Sequence, residues 1–223
     1  MRYAAVLFDL DGTLLDTLRD LNAAVNRTLE RFGYAPQSLE ETGQKLGNGA
    51  RRLLELSVPE GTGKEEIDRI LAWYLPYYNA HANDTTEPYA GVMELLRMLR
   101  ARGCPTAIIS NKPDRTVREL SAIHFSGLLD CAVGENEAQG VRRKPAPDTL
   151  LAAAAQLGAA PEDCLYVGDS EVDVLTAARA GMDCASVLWG FRSREELERA
   201  GGKLLFETPG ELERFLLGGA GTE

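Results

Sequence analysis

The sequence lacks long apolar runs and is poor in cysteine and in positive charge. No apolar run approaches the roughly 20 residues of a membrane span, so we expect no membrane partner. The net charge of −10 over 223 residues disfavours nucleic acid as a partner. The first predicted strand begins near Tyr3 and leaves no room for a signal peptide, which predicts a cytoplasmic protein. A small phosphorylated ligand is still allowed, because a local site can be positive when the whole chain is not.

The cysteines are few and form no C-x-x-C pair: Cys104, Cys131, Cys164 and Cys184. They lie in or beside apolar runs and are far apart along the chain. Thiols pack as small apolar groups, and disulfides are rare in a reducing cytoplasm. We therefore expect four buried free thiols.

Two carboxylates follow the first apolar run, in the stretch FDLDGTL at residues 8–14. Spacing by two puts Asp9 and Asp11 on the same side of an extended chain. Two anions this close repel unless a cation lies between them, which favours a divalent metal site with one acid free to attack. Gly12 and Thr13 add backbone N–H groups that could hold an anion. The alternative is that the two acids only form a turn.

Two patterns divide the rest of the chain. Residues 18–87 show helical spacing with breaks at glycines, and we find no convincing strand there. After residue 88, apolar runs alternate with helical segments; strands are predicted at 105–110, 129–133, 164–168, 183–188 and 204–206. We expect the tail, 218–223, to be mobile.

This alternation predicts an α/β fold, a doubly wound parallel sheet with helices on both faces. The core would comprise residues 1–15 and 88–223, and residues 16–87 would form an inserted helical domain. In such sheets the ligand lies beyond the carboxyl ends of the strands. The polar residues that follow each predicted strand are therefore the candidates for a ligand site.

Two later strand ends carry groups suited to a phosphate. Ser110 and Asn111 follow a strand, and their polar groups and backbone N–H groups suit phosphate oxygens, although an ordinary polar loop is the alternative. Lys144 precedes Pro145, and the Lys-Pro-x-Pro sequence fixes the backbone just before a helix begins. A rigidly held ammonium could neutralise a nucleophile and a phosphoryl group.

A further strand ends in a third acidic pair. Asp169 and Asp173 are four residues apart, so one helical turn could bring both carboxylates to one point. Ser170 and Asp173 also fit a capping box, which is the structural alternative for Asp173. The functional and the structural roles are compatible: Asp169 could bind a metal, while Asp173 caps the helix and orients the residues that contact the metal.

In this order, Asp9/Asp11, Ser110, Lys144 and Asp169/Asp173 resemble the four motifs of the haloacid dehalogenase-like hydrolases. The resemblance covers the whole chain and implies a Rossmann-like core with an all-helical C1 cap at residues 16–87. Three stretches look most like phosphoglycolate phosphatases: Gly47-Asn48-Gly49, Pro88-Tyr89-Ala90-Gly91-Val92 and Ser110-Asn111-Lys112.

The resemblance implies a phosphatase that acts on a small phosphate monoester, with 2-phosphoglycolate as the first candidate. Asp9 would be the nucleophile that forms an aspartyl-phosphate, and Asp11 the general acid and then the base. Mg²⁺ would be held by Asp9, the backbone carbonyl of Asp11, and Asp169.

The remaining implied roles concern the substrate. The phosphoryl-binding residues would be Gly12, Thr13, Ser110, Asn111 and Lys144, with Ser170 and Asp173 in support. Arg52, in the insert, is a candidate contact for a substrate carboxylate, although a solvated arginine is the common alternative.

Several other activities share these motifs. An inorganic pyrophosphatase and a β-phosphoglucomutase-like mutase keep the same aspartates. A dehalogenase is disfavoured because halide leaves without the proton that Asp11 would supply, and a phosphonatase because no cap lysine lies in an evident apolar pocket. A non-enzymatic phospho-acceptor is disfavoured because the acid pair lies on the first strand and a helical insert follows. The oligomeric state does not follow from the sequence.

Overall fold

The computed structural model describes residues 1–137 and 140–218. The chain divides into two compact units, residues 1–15 with residues 88–223, and residues 16–87. Residues 219–223 of the tail expected to be mobile lie outside the described residues. Within the described residues, no helix is both long enough and apolar enough for a membrane crossing.

The elements are numbered in chain order. They are β1 (Ala5–Phe8), β2 (Leu15–Asp16), α1 (Leu18–Arg31), α2 (Leu39–Lys45), α3 (Gly49–Ser57), α4 (Lys64–His81), β3 (Glu87–Pro88), α5 (Val92–Ala101), β4 (Thr106–Pro113), α6 (Asp114–His124), β5 (Cys131–Glu135), α7 (Asp148–Gln156), β6 (Cys164–Gly168), α8 (Glu171–Ala180), β7 (Asp183–Val187), α9 (Arg194–Arg199), β8 (Leu204–Phe206) and α10 (Pro209–Leu216).

The larger unit is built on a six-stranded sheet in the order β5-β4-β1-β6-β7-β8. All neighbouring strands in this sheet pair in parallel, which confirms the predicted α/β fold. The short strands β2 and β3 pair in a separate two-stranded sheet.

Strand β1 is central and buried on both faces. Ala5 and Leu7 pack in one apolar cluster with helices α7 and α8, and Val6 and Phe8 pack in the other with helices α5 and α10. Successive side chains of a strand point to opposite faces, so a strand covered on both sides needs a continuous apolar run. This is why residues 3–8 show no alternation of polar and apolar residues.

The smaller unit is helical, from α1 to α4. Tyr74 and Tyr78 of α4 are almost fully buried in it. The carboxylate of Asp20 on α1 is also buried and accepts hydrogen bonds from the backbone N–H and hydroxyl groups of Thr85 and Thr86. Burial alone would raise the pKa of Asp20, but these donors outweigh it and hold the pKa below its usual value.

The structure differs from the sequence prediction in a few elements. Strand β4 continues to Pro113, three residues beyond its expected end, and β5 begins two residues late, at Cys131. The strands β2 and β3 were missed because two residues carry no periodicity. All four cysteines are free, as expected; Cys104 and Cys164 are buried, but Cys131 and Cys184 are only half-buried.

Candidate active site

Three neighbouring strands bring the motif residues to one edge of the sheet. Strand β1 lies between β4 and β6, and all three run in parallel, so their carboxyl ends meet. Asp9 follows β1, Ser110 lies in the last part of β4, and Asp169 follows β6. The order of the strands therefore gathers side chains that are up to 160 residues apart in the sequence.

A buried lysine is central to the cluster. Lys144 is 3% exposed, and its Nζ lies 2.9 Å from Asp9 Oδ1 and 2.8 Å from Asp173 Oδ1. It also donates a hydrogen bond of 2.9 Å to the hydroxyl of Tyr166. Burial alone would lower the pKa of Lys144, but the two carboxylates raise it above its usual value. Lys144 is therefore a fixed ammonium beside Asp9.

Asp173 is surrounded by hydrogen-bond donors. Its Oδ1 accepts from Lys144 Nζ at 2.8 Å and lies 3.0 Å from the Tyr166 hydroxyl. Its Oδ2 accepts from Ser170 N at 3.1 Å and from Ser170 Oγ at 2.6 Å. A carboxylate offers about four lone-pair positions, and here all four face donors. The structure thus brings Ser170, Asp173 and Lys144 together and leaves Asp173 little capacity for another ligand.

Asp9 and Asp169 are buried carboxylates whose pKa values are raised. Asp9 Oδ1 is buried and accepts no well-aligned hydrogen bond, although the Lys144 ammonium is beside it. Burial raises the pKa of Asp9 to about 7 against the opposing effect of Lys144, and burial with the charges of Asp173 and Asp9 raises the pKa of Asp169 well above its usual value.

The Asp9 and Asp169 carboxylates are close enough to hold one cation between them. Carboxylate oxygens of Asp9, Asp169 and Asp173 lie within 4.8 Å of one another, and all three residues are buried. Oxygen-only donors suit Mg²⁺, Mn²⁺ or Ca²⁺. A cation would offset the repulsion that raises the pKa values of Asp9 and Asp169. The residues present therefore fit a hard divalent cation.

Two glycines enclose the Asp169 carboxylate. Gly12 has a φ of +79°, and a Cβ there would lie 2.3 Å from Asp169 Oδ2. A Cβ on Gly190 would lie 2.3 Å from Asp169 Cβ. Phe191 N donates to Asp169 Oδ2 at 2.7 Å, and Thr13 Oγ1 donates to Oδ1 at 3.4 Å. The predicted anion-binding turn at residues 12–13 thus also fixes Asp169.

The segment Ser110–Lys112 departs from the regular ladder between β4 and β5. The Asn111 side chain and the Lys144 backbone exchange two hydrogen bonds: Nδ2 donates to Lys144 O at 3.0 Å, and Lys144 N donates to Oδ1 at 2.8 Å. Ser110 Oγ accepts from Lys112 N at 3.2 Å. Lys112 Nζ donates to Asp11 Oδ1 at 2.7 Å. The segment therefore reaches both Lys144 and Asp11.

Two side chains of this cluster had no role in the sequence analysis. Tyr166 is an aromatic residue in a predicted strand, where core packing is the default interpretation. Lys112 belongs to a quoted motif, but a lysine is usually solvent-exposed, and no sequence signal indicates its pairing with Asp11. Arg52 lies in the other unit, on α3; its side chain is 51% exposed and its Nη1 lies 3.2 Å from Glu55 Oε2.

Comparisons with known proteins agree with the fold. The family model described as haloacid dehalogenase-like hydrolase matches residues 3–181. Phosphoglycolate phosphatase 1 of Pseudomonas aeruginosa is 38% identical over 192 residues, 83% of this chain and 70% of the relative. Phosphoglycolate phosphatase of Xylella fastidiosa is 36% identical over 191 residues, 86% of this chain and 82% of the relative.

A solved structure extends the likeness to nearly the whole fold. The crystal structure of a Lactobacillus delbrueckii subsp. bulgaricus protein superposes with a TM-score of 0.91 at 34% identity, covering 97% of this chain and 99% of that chain. Together, the fold and these matches define a phosphoric monoester hydrolase. The chain belongs to the haloacid dehalogenase-like hydrolase family.

Proposed function

We propose that this phosphatase hydrolyses 2-phosphoglycolate in a Mg²⁺-dependent reaction through an aspartyl-phosphate on Asp9. The observation that carries the proposal is the position of the buried Asp9 carboxylate: it follows the central strand, its Oδ1 lies 2.9 Å from the Lys144 ammonium, and it is within 4.8 Å of the Asp169 carboxylate. A carboxylate held beside a fixed cation at the ligand-binding edge of the sheet can serve as a nucleophile. The choice of substrate rests on relatives named phosphoglycolate phosphatase, in Pseudomonas aeruginosa and Xylella fastidiosa.

In the first half of the reaction, a carboxylate oxygen of Asp9 attacks phosphorus. The ester P–O bond breaks, its electron pair goes to the glycolate oxygen, and Asp11 donates a proton to that oxygen. In the second half, Asp11 takes a proton from a water molecule as the water oxygen attacks the aspartyl-phosphate. Phosphate leaves, and both carboxyl groups return to their starting states.

The surrounding residues bind and position the phosphoryl group. Lys144 neutralises the charge on its oxygens, while the Ser110 hydroxyl and the backbone N–H groups of Gly12 and Thr13 donate hydrogen bonds to them. Asn111 acts by holding Lys144 in place, because the two polar atoms of its amide are hydrogen-bonded to the backbone O and N of Lys144.

Asp9, Asp169 and the backbone carbonyl of Asp11 would hold Mg²⁺. When bound, the ion would neutralise negative charge on the phosphoryl oxygens. Asp173 is assigned to support instead, because Lys144, Tyr166 and Ser170 surround both of its oxygens.

Residues 16–87 are proposed to be a C1 cap inserted into a Rossmann-like core of residues 1–15 and 88–223. The cap would exclude water and select the substrate. Arg52 is proposed to bind the substrate carboxylate. Arg52→Gln should then raise KM for 2-phosphoglycolate and leave KM for p-nitrophenyl phosphate unchanged. Arg69→Gln, at another exposed arginine in the same unit, is the control, and an equal change for both substrates would remove this role.

The test is steady-state phosphate release with Mg²⁺ from 2-phosphoglycolate, pyrophosphate, sugar phosphates and nucleotides. We expect the highest kcat/KM for 2-phosphoglycolate, no activity in EDTA, and recovery on adding Mg²⁺. Asp9→Asn should keep the fold by circular dichroism and lose turnover. A maximum at pyrophosphate would favour the pyrophosphatase, and isomerisation of a sugar phosphate would favour the mutase. Wild-type turnover in Asp9→Asn would remove the nucleophile assignment.

A further inference from the structure

We propose that Lys112 is the positioning residue for Asp11, orienting its carboxyl group for proton transfer to the leaving oxygen. This inference rests on the proposed function, because it assigns a partner to the proposed general acid. It begins from one contact, in which Lys112 Nζ donates to Asp11 Oδ1 at 2.7 Å.

Burial separates this pair from ordinary surface ion pairs. The side chain of Lys112 is 3% exposed and that of Asp11 is 21% exposed. Exposed pairs contribute little because water screens them and both side chains are mobile. A buried ammonium must instead be matched by a fixed acceptor, since an unpaired buried charge is strongly destabilising. Asp11 is such an acceptor, and it is the more exposed of the two side chains.

The backbone under Lys112 is built to direct this side chain. In the pairing of β4 with β5, Ile109 lies opposite Val133 and Pro113 opposite Glu135, so residues 110–112 face a single residue, Gly134. Such a bulge turns side chains away from the regular alternation. A regular strand would instead point Lys112 and Ser110 to the same face.

Packing holds the bulge in place. A Cβ on Gly134 would lie 2.6 Å from Lys112 O and 2.3 Å from Asp114 Cα, so a side chain there would displace the segment. Gly134 N donates to Asp114 Oδ1 at 2.9 Å, and Lys112 N donates to Ser110 Oγ at 3.2 Å. The backbone of Lys112 is therefore held in place, which fixes the position from which its side chain extends.

The contact has a chemical consequence for Asp11. Because Oδ1 accepts the ammonium hydrogen bond, the transferable proton is assigned to Oδ2. As the ester bond breaks, the leaving oxygen receives its electron pair and takes that proton. Asp11 becomes a carboxylate, and the Lys112 ammonium stabilises the new charge. When water later attacks, the proton returns to Asp11.

A comparison of leaving groups tests this role. 2-Phosphoglycolate must release an alkoxide, which needs a proton, whereas p-nitrophenyl phosphate releases a stable phenolate that does not. In Lys112→Met, kcat/KM for 2-phosphoglycolate should fall about 100-fold, a loss typical of impaired general acid catalysis. The same constant for p-nitrophenyl phosphate should fall only a few-fold. The constant kcat/KM covers steps through release of the alcohol, so slow hydrolysis of the aspartyl-phosphate does not hide the difference.

Three variants sharpen the comparison. Lys112→Arg should recover most of the activity on 2-phosphoglycolate, because it keeps a donor cation. In an Asp11→Asn background, Lys112→Met should add little further loss. Lys203→Met, the same substitution at an exposed lysine of the same unit, should leave both substrates unchanged.

The outcomes separate the two proposals. Equal losses for both substrates in Lys112→Met, or full additivity with Asp11→Asn, would overturn the positioning role and leave the phosphatase proposal intact. Absence of turnover on both substrates in the wild-type enzyme would overturn the proposed function itself. If Lys112→Met does not fold, Lys112→Gln decides, because it removes the charge and keeps a polar side chain; equal losses on the two substrates there would overturn the positioning role.

Discussion

The hydroxyl of Tyr166 offers a direct test of the buried network beneath the site. It accepts from Lys144 Nζ at 2.9 Å and lies 3.0 Å from Asp173 Oδ1 and 3.2 Å from the carbonyl oxygen of Ile109. Tyr166→Phe removes only this oxygen. Lys144 then loses one hydrogen-bond acceptor inside the core. The Ile109 carbonyl oxygen and Asp173 Oδ1 lose the hydroxyl as a possible donor.

The expected cost follows from the charge of these partners. Hydrogen bonds to charged groups contribute about 1.5–3 kcal/mol, so we expect the variant to lose about 2 kcal/mol of stability. For a chain of this size that corresponds to roughly 4–8 °C in Tm. Urea unfolding followed by circular dichroism measures the loss, and the m-value should stay constant. The matched control is Tyr77→Phe, which removes a half-exposed hydroxyl from α4 and should change stability by less than about 0.5 kcal/mol.

The same variant should keep much of its activity. Lys144 retains Asp9 and Asp173 as partners, so its ammonium stays beside the proposed nucleophile. We expect kcat to fall by no more than about tenfold, or roughly 1.4 kcal/mol. Unchanged stability would refute the assignment of the hydroxyl to the network. Complete loss of activity in a folded variant would mean that Tyr166 acts in the site itself.

Two further predictions concern packing and metal binding. Gly134→Ala should destabilise the protein by about 2 kcal/mol or more and lower kcat/KM, because its Cβ would meet Lys112 O and Asp114 Cα; Gly158→Ala, where a Cβ meets open space, should not lower kcat/KM. Burial raises the pKa of Asp9 to about 7, so a proton competes with Mg²⁺ below that pH. Burial also raises the pKa of Asp169, so its proton competes as well. Calorimetric titration should therefore show affinity rising from about pH 5 through about pH 7; a flat profile over that range would contradict the assignment of these carboxylates as ligands.

Most of the helices and strands could be predicted, because their formation depends mainly on residues that are close together in the sequence. The strands predicted at 164–168 and 204–206 have the observed bounds of β6 and β8, and helices α1 to α4 lie in the segment with helical spacing. The strand order also follows a general rule, since parallel strands bring Asp9 and Asp169 to one edge. Such rules depend on residue type and spacing, which a single sequence contains.

The missing parts depend on contacts between distant residues. Lys112 and Asp11 are 101 positions apart, and Lys112 lies in a bulge that packs closely against Gly134 of the neighbouring strand. Tyr166 lies in a buried strand, where an aromatic residue is expected to pack in the core. Its role comes from the contacts of its hydroxyl with Lys144 and Asp173. Neither feature has a periodicity or a motif to reveal it.

The charges of the site explain why these lysines are buried in an acidic protein. Asp9, Asp11, Asp169 and Asp173 converge at one edge, and Lys112 and Lys144 are the ammonium groups paired with them. Four carboxylates and two ammonium groups leave two negative charges to be compensated when all are ionised. Burial makes that imbalance costly, as the raised pKa values of Asp9 and Asp169 indicate. A divalent cation would compensate this charge and leave Asp9 ionised for the proposed attack, whereas a proton on Asp9 would not.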